Sequence, residues 1–258
     1  MSPVSPAAVS SLRARTGVSI LACKEALEEA QGDEEKAIEI LRKRGLAQAA
    51  KKAAREQSEG LIFLAEFGSR AALVLLRCET DFVARDEHFM QLGAQLAQTV
   101  LKEGIAAAEV LAAAEIPALV QKVGENVTLA EAHLFEHPIV GAYLHSNAKV
   151  AVVIGLEKGT REAARDVAMH AAAFSPLYIR PDQVPAEMIA KEKEIWREQL
   201  KKESKPEAIW DKIMMGKEKK FREENALLKQ PFAKDPSKTV EQYLAGSPVV
   251  AYVRVAVG

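Results

Sequence analysis

One pattern occurs twice in this chain and leaves few folds open: two apolar runs split by a two-residue turn, then an amphipathic helix. The first copy is Leu61–Phe67, a turn at Gly68-Ser69, Ala71–Cys78 and a helical stripe over Glu87–Leu101. The second is Ile139–His145, a turn at Ser146-Asn147, Val150–Leu156 and a helix over Arg161–Phe174. Turns this short, built from Gly, Ser and Asn, join strands that pair antiparallel. A third strand comes later in sequence for each pair, Val127–Phe135 for the first and Val249–Val257 for the second. In the last strand Val249, Ala251, Val253, Val255 and Val257 fall on one face, the period of a half-buried strand. Ala164, Val167, Ala168, Ala171 and Phe174 form a helical stripe suited to cover such a sheet. The expected class is α+β: two antiparallel three-stranded sheet subdomains, each with helices on one face.

Two further segments flank and interrupt this pattern. Residues 8–45 read as three short helices, with Gly17, Gly32 and Gly45 at the positions of left-handed C-terminal caps and Asp33 as the N-cap of the third. Leu21, Leu27 and Ala30 are expected to share one face of the second helix, and Ile38 and Leu41 one face of the third. Residues 46–59, rich in Ala, Lys and Gln without an apolar stripe, read as a helical linker whose basic residues make a solvated face. Between Pro185 and Asn225, Met188 and Ile195 recur at seven, as do Ile189 and Trp196; Ile209, Trp210, Ile213 and Met214 follow Pro206. That is the seam of an inserted antiparallel helical hairpin, a coiled-coil finger for protein contact or a structural excursion. The resulting divisions are a three-helix module with linker (1–55), an N-terminal core subdomain (56–138), a C-terminal core subdomain in two parts (139–184 and 226–258) and the finger (185–225).

The balance of 35 basic against 36 acidic residues offers no electrostatic grip on a polyanion, and the finger itself carries eleven basic and ten acidic side chains. No direct nucleic-acid partner is expected, and no membrane partner. Apolar runs fall short of the roughly 18–20 residues that cross a bilayer, and Met1-Ser2-Pro3-Val4-Ser5-Pro6 lacks the basic and apolar regions of a signal peptide. The expectation is a cytoplasmic protein. Cys23 and Cys78 read as buried apolar side chains rather than a disulfide. His133 and His137 are four apart, which across a strand is ~13 Å, too far for one metal ion. A phosphate-binding G-x-x-x-x-G-K-[ST] loop is absent from the sequence. No catalytic residues, metal or cofactor are expected.

The chemistry concentrates in Cys78-Glu79-Thr80-Asp81-Phe82-Val83-Ala84-Arg85. The strand Leu73-Val74-Leu75-Leu76 runs into a Thr-Asp pair, either of which caps a following helix. Phe82 then falls on the first helical turn. From the residues alone two readings stand: a cap beside a core aromatic, or an aromatic held outward at the end of a sheet.

Thr80-Asp81-Phe82-Val83 resembles the signature of the elongation factor Ts family, the bacterial factors that expel GDP from elongation factor Tu. Further stretches match in the same order: Leu12-Arg13-Ala14-Arg15-Thr16-Gly17 with Cys23-Lys24-Glu25-Ala26-Leu27, Val123-Gly124-Glu125-Asn126, Ala168-Met169-His170, and Gln230-Pro231-Phe232 with Asp235-Pro236-Ser237-Lys238-Thr239-Val240. The resemblance implies a ubiquitin-associated-like fold for the three-helix module and a nucleotide exchange factor with no reaction of its own. Its implied partner is the GDP-bound GTPase elongation factor Tu, whose magnesium ion is dislodged. The implied contacts are Thr80, Asp81, Phe82 and Val83, with Phe82 as a wedge, and elsewhere Leu21, Val123 and His145. A protein-binding adaptor built on the three-helix module, without exchange activity, is the alternative.

Overall fold

The computed structural model describes residues 4–203 and 206–257. Met1–Pro3, part of the stretch read for a signal peptide, and Lys205, which precedes the return of the finger, lie outside the described residues. The chain gathers into two compact units. One takes in the chain up to Leu134 with Ser146–Val150 and the end of the last strand; the other comprises Phe135–His145 and Ala151–Arg254.

The first unit opens with α1 (Pro6–Thr16), α2 (Ile20–Glu29) and α3 (Glu34–Lys52). Ser5, Ser19 and Asp33 cap them, each side chain accepting a bond from the N–H three residues on. Leu12, Cys23, Leu27, Ala37 and Leu41 pack between the helices. Leu21 does not join them. It lies on the outer face of α2, two-thirds exposed, while Cys23, Ala26 and Leu27 supply the inner face. Gly17 (φ 68°) closes α1 in the left-handed conformation, as expected. After α2 it is Gln31 (φ 54°) that first takes a left-handed conformation, and the Gly32 N–H donates to the Leu27 carbonyl at 2.8 Å.

Strands β1 (Glu59–Phe67) and β2 (Arg70–Cys78) pair in register from Glu59 opposite Cys78 to Phe67 opposite Arg70. A single turn, α4 (Asp81–Ala84), then leads to α5 (Glu87–Glu103), α6 (Ile105–Val123) and β3 (Thr128–Glu136). The sheet order is β1-β2-β3. Val74, Leu76 and Cys78 of β2 pack with Phe89, Leu96 and Val100 of α5 and with Ala108, Leu119 and Val120 of α6. Helix α6 is an element the periodicity did not reveal. Its alanines favour helix but supply little contrast between faces, and Pro117 reads as a break.

Gly45 is not a cap, contrary to expectation. Helix α3 continues through it to Lys52, so much of the expected linker is the last part of α3. The glycine is buried where α3 lies on α6, and a β-carbon there would stand 3.0 Å from the Pro117 carbonyl oxygen. Close helix approach, not turn formation, requires the glycine.

Strands β4 (Ile139–Leu144), β5 (Val150–Leu156) and, at the end of the chain, Val249–Ala256 form the second sheet, with β5 in the centre. Helix α7 (Arg161–Phe174) covers it through Ala164, Val167, Ala168 and Ala171. Phe174, the last residue of α7, departs from the expected stripe: it is half exposed and stacks on His170 with ring centroids 4.7 Å apart. The finger consists of α8 (Ala186–Lys202) and α9 (Trp210–Glu224). Trp196, Leu200 and Met214 form its seam, with Trp196 edge-on to Phe221 at 5.9 Å. The seam therefore follows the Ile189–Trp196 repeat; Ile195 faces solvent. A small ribbon, β6 (Pro231–Phe232) with β7 (Asp235–Thr239), and the turn α10 (Val240–Tyr243) precede β8, the last strand.

Gly141 of β4 meets α7 closely. A β-carbon there would lie 2.3 Å from the Arg165 nitrogen and 2.6 Å from Ala164 Cβ. Gly141→Ala should lower unfolding free energy by about 1–3 kcal/mol, because backbone on both sides resists the shift; urea titration measures this. His170 is buried on α7, accepts from the Ala233 N–H at Nδ1 (3.2 Å) and so donates from Nε2 to Gln230 Oε1 (2.9 Å). Burial pulls its pKa below the ordinary 6.5, against a smaller opposing effect of Gln230. The unfolded chain then binds the proton more readily, so this stability is full above pH 6.5 and is lost as pH falls towards the native value. NMR titration should place the His170 midpoint below 6.5, and His170→Gln should flatten that part of the stability profile.

Candidate partner-binding site

The site grows from the end of β2. After Cys78 the chain bends through Glu79 and Thr80 into α4, and the Thr80 hydroxyl accepts a long bond from the Val83 N–H at 3.5 Å. One turn of helix sends successive side chains in different directions. Val83 and Ala84 point inward and join the core formed with α5. Phe82 points outward and is 83% exposed. Of the two readings open at the level of sequence, the core-aromatic reading fails for Phe82. Val83, also expected among the contact residues, is 8% exposed and anchors the turn from within. Asp81 pairs with Arg85 one turn on at 3.0 Å, a surface pair of small energetic weight.

A second turn, between α6 and β3, holds the first. Gly124 (φ 79°) ends α6, and Glu125 follows it. The Glu125 carboxylate accepts from the Glu79 N–H (3.2 Å), the Thr80 N–H (2.9 Å) and the Thr80 hydroxyl (2.6 Å). In return the Glu79 carboxylate accepts from the Asn126 N–H at 2.7 Å and pairs with Arg55 at 3.4 Å. Buried Asn126 donates its side-chain amide to the carbonyls of Ala53 and Arg55, beyond the end of α3. Lys52 reaches the Gly124 carbonyl from α3 itself. Three chain segments are thus closed on one frame by charge-assisted bonds. Sequence reading quoted Val123-Gly124-Glu125-Asn126 but missed what Glu125 and Asn126 do. Their signal is a carboxylate and a carboxamide directly after a left-handed glycine, residue types that bond to backbone in turns.

The Cys78 thiol lies beneath this frame and donates to the Thr80 carbonyl at 3.2 Å. Burial, reinforced by the nearby Glu125 charge, pushes its pKa up to about 12. Cys23 is likewise buried, and both cysteines are free thiols.

The remaining expected contacts lie on other elements. Leu21 is exposed on α2. Val123 is the last residue of α6 and is half-buried against the first-unit core. His145 belongs to the second unit, where its Nδ1 lies 3.0 Å from the Tyr143 hydroxyl. His133 lies beside Glu131 at 3.0 Å. Among the described residues, no group of three or more His, Cys, Asp or Glu is placed to hold a metal ion, and no helix is long and apolar enough to cross a membrane.

At pH 8 a pKa of about 12 leaves about one Cys78 thiol in 10,000 ionised, so native Cys78 should resist a thiol-directed disulfide reagent until the protein unfolds. Rapid labelling before unfolding would contradict its buried position.

Comparison with known proteins follows the same residues. The family model described as Elongation factor TS matches residues 79–258, beginning at the bend into α4. Elongation factor Ts of Marinobacter nauticus is 42% identical over all of this chain and 92% of its own length. The Elongation factor Ts proteins of Aeromonas salmonicida (43%, all of this chain, 92% of the relative) and Saccharophagus degradans (44%, 99% of this chain, 91% of the relative) are similarly close. The chain belongs to the elongation factor Ts family of translation elongation factors.

Proposed function

We propose that this protein is a guanine nucleotide exchange factor that binds elongation factor Tu carrying GDP, dislodges its magnesium ion and releases the nucleotide. One observation carries the reading: a phenylalanine exposed over four-fifths of its surface, on a turn whose entry is tied to two other chain segments. Leaving a phenyl group in water forgoes roughly 2–3 kcal/mol of burial, which a partner's apolar crevice recovers. A GTPase holds GDP through positional contacts: phosphate-loop amides, a lysine and magnesium bridged to the β-phosphate. Displacing these elements slightly weakens all of them together.

In this reading Phe82 is the wedge, Thr80 and Asp81 orient it and offer polar contacts, and Val83 holds the turn to its own core. Exposed Leu21 and His145, with half-buried Val123, touch other parts of the same partner. The segments 1–55, 56–138, 139–184 with 226–258, and the finger at 185–225 then act as separate contact surfaces. The protein makes no covalent bond, carries no cofactor and works in the cytoplasm. A thousandfold faster release requires lowering the barrier by about 4 kcal/mol. Phe82 supplies only part of that, so contact over several surfaces is needed. Linkage makes the effect reciprocal, with GDP weakening the hold of this factor on the GTPase.

Release of fluorescent GDP from elongation factor Tu tests the proposal. Phe82→Ala should slow stimulated release on the order of 10–100-fold without loss of fold, in line with the burial it removes. Asp81→Ala should cost less, since it removes one exposed ion pair. Full stimulation by the Phe82 variant would remove the wedge.

A further inference from the structure

We propose that Glu125 is a positioning residue for exchange: it fixes the direction of Phe82 without touching the partner. The inference rests on the exchange reading above and deepens it. Helix α4 has four residues, too few to be stable by itself, so its orientation depends on Val83 and Ala84 in the core and on Thr80 at its start. Thr80 in turn is held at three points by one carboxylate frame, through its own N–H, its hydroxyl and the N–H of Glu79. The same hydroxyl that donates to Glu125 faces the Val83 N–H, so Glu125 also orients the cap of α4.

A carboxylate suits this place because it offers acceptor sites on two oxygens and no donor, matching three converging donors. The frame has a mechanical consequence. A side chain that displaces parts of a neighbour receives an equal push, and an unbraced single turn yields before the neighbour does. Glu125, itself held next to Asn126 and the end of α3, is the brace. Its own backbone position is also secured by the left-handed Gly124 and by Lys52 on the Gly124 carbonyl.

The test is a double-mutant cycle on GDP release from the GTPase, with binding affinity measured alongside. Glu125→Ala should slow stimulated release on the order of tenfold while affinity changes far less. In a Phe82→Ala background it should have almost no further effect, because the residue acts through the phenyl group. Glu125→Gln should restore much of the rate, since its amide oxygen accepts from Thr80 N–H and the hydroxyl reverses to accept. If the alanine variant does not fold, Glu125→Asp gives the same reading, keeping the charge but withdrawing it by one methylene. In the free protein, amide exchange at Glu79 and Thr80 must rise in the alanine or aspartate variant while Phe89 and Leu96 stay protected.

An equal slowing in both backgrounds, an unchanged rate, or unchanged amide exchange at Thr80 would each overturn the positioning role. Undiminished stimulation by Phe82→Ala removes the wedge, whereas no stimulation by the unaltered protein removes the exchange reading; both are seen before Glu125 is altered.

Discussion

Two turns exchange their carboxylates. Glu125 receives the amides of Glu79 and Thr80, and Glu79 receives the amide of Asn126. Each N–H at the end of an element needs a partner if it is shielded from water. Here each turn supplies what the other lacks. Carboxylate acceptors make such bonds stronger than neutral ones, and here they close over 46 residues of intervening chain. The end of α3, the turn that carries Phe82 and the residues before β3 are held to one another by this frame.

The frame allows two neighbouring side chains to serve opposite ends. Val83 is buried and binds α4 to the core under β2 and α5. Phe82 stands in water, a position that costs stability unless something covers it. Phe67 at the β1–β2 turn is also exposed, so exposure of an aromatic is not distinctive by itself. What separates Phe82 is a backbone tied to two other chain segments rather than to a single hairpin.

Much of the architecture was legible because it follows short-range rules. The helix α7 begins and ends at the residues its apolar stripe indicated, and β1 and β2 begin within two residues of the runs that announced them. Antiparallel pairing followed from turns too short to permit anything else. Errors arose where a residue type has two uses. Gly45 reads as a cap but serves helix contact with Pro117, and α6 was hidden by alanines that show no face. Ile195 and Trp196 offered two registers for the finger, and Leu200 with Met214 selects the second.

The sequence by itself determined the strand-turn-strand-helix units, the caps and the outward-or-inward ambiguity of Phe82, since these depend on periodicity and on side chains bonding within three or four residues. Tertiary structure alone decided that Phe82 faces out while Val83 faces in, and that Glu125 holds Thr80. Those outcomes depend on which groups meet across dozens of residues, and the energy of a buried donor finding its acceptor has no trace in local spacing.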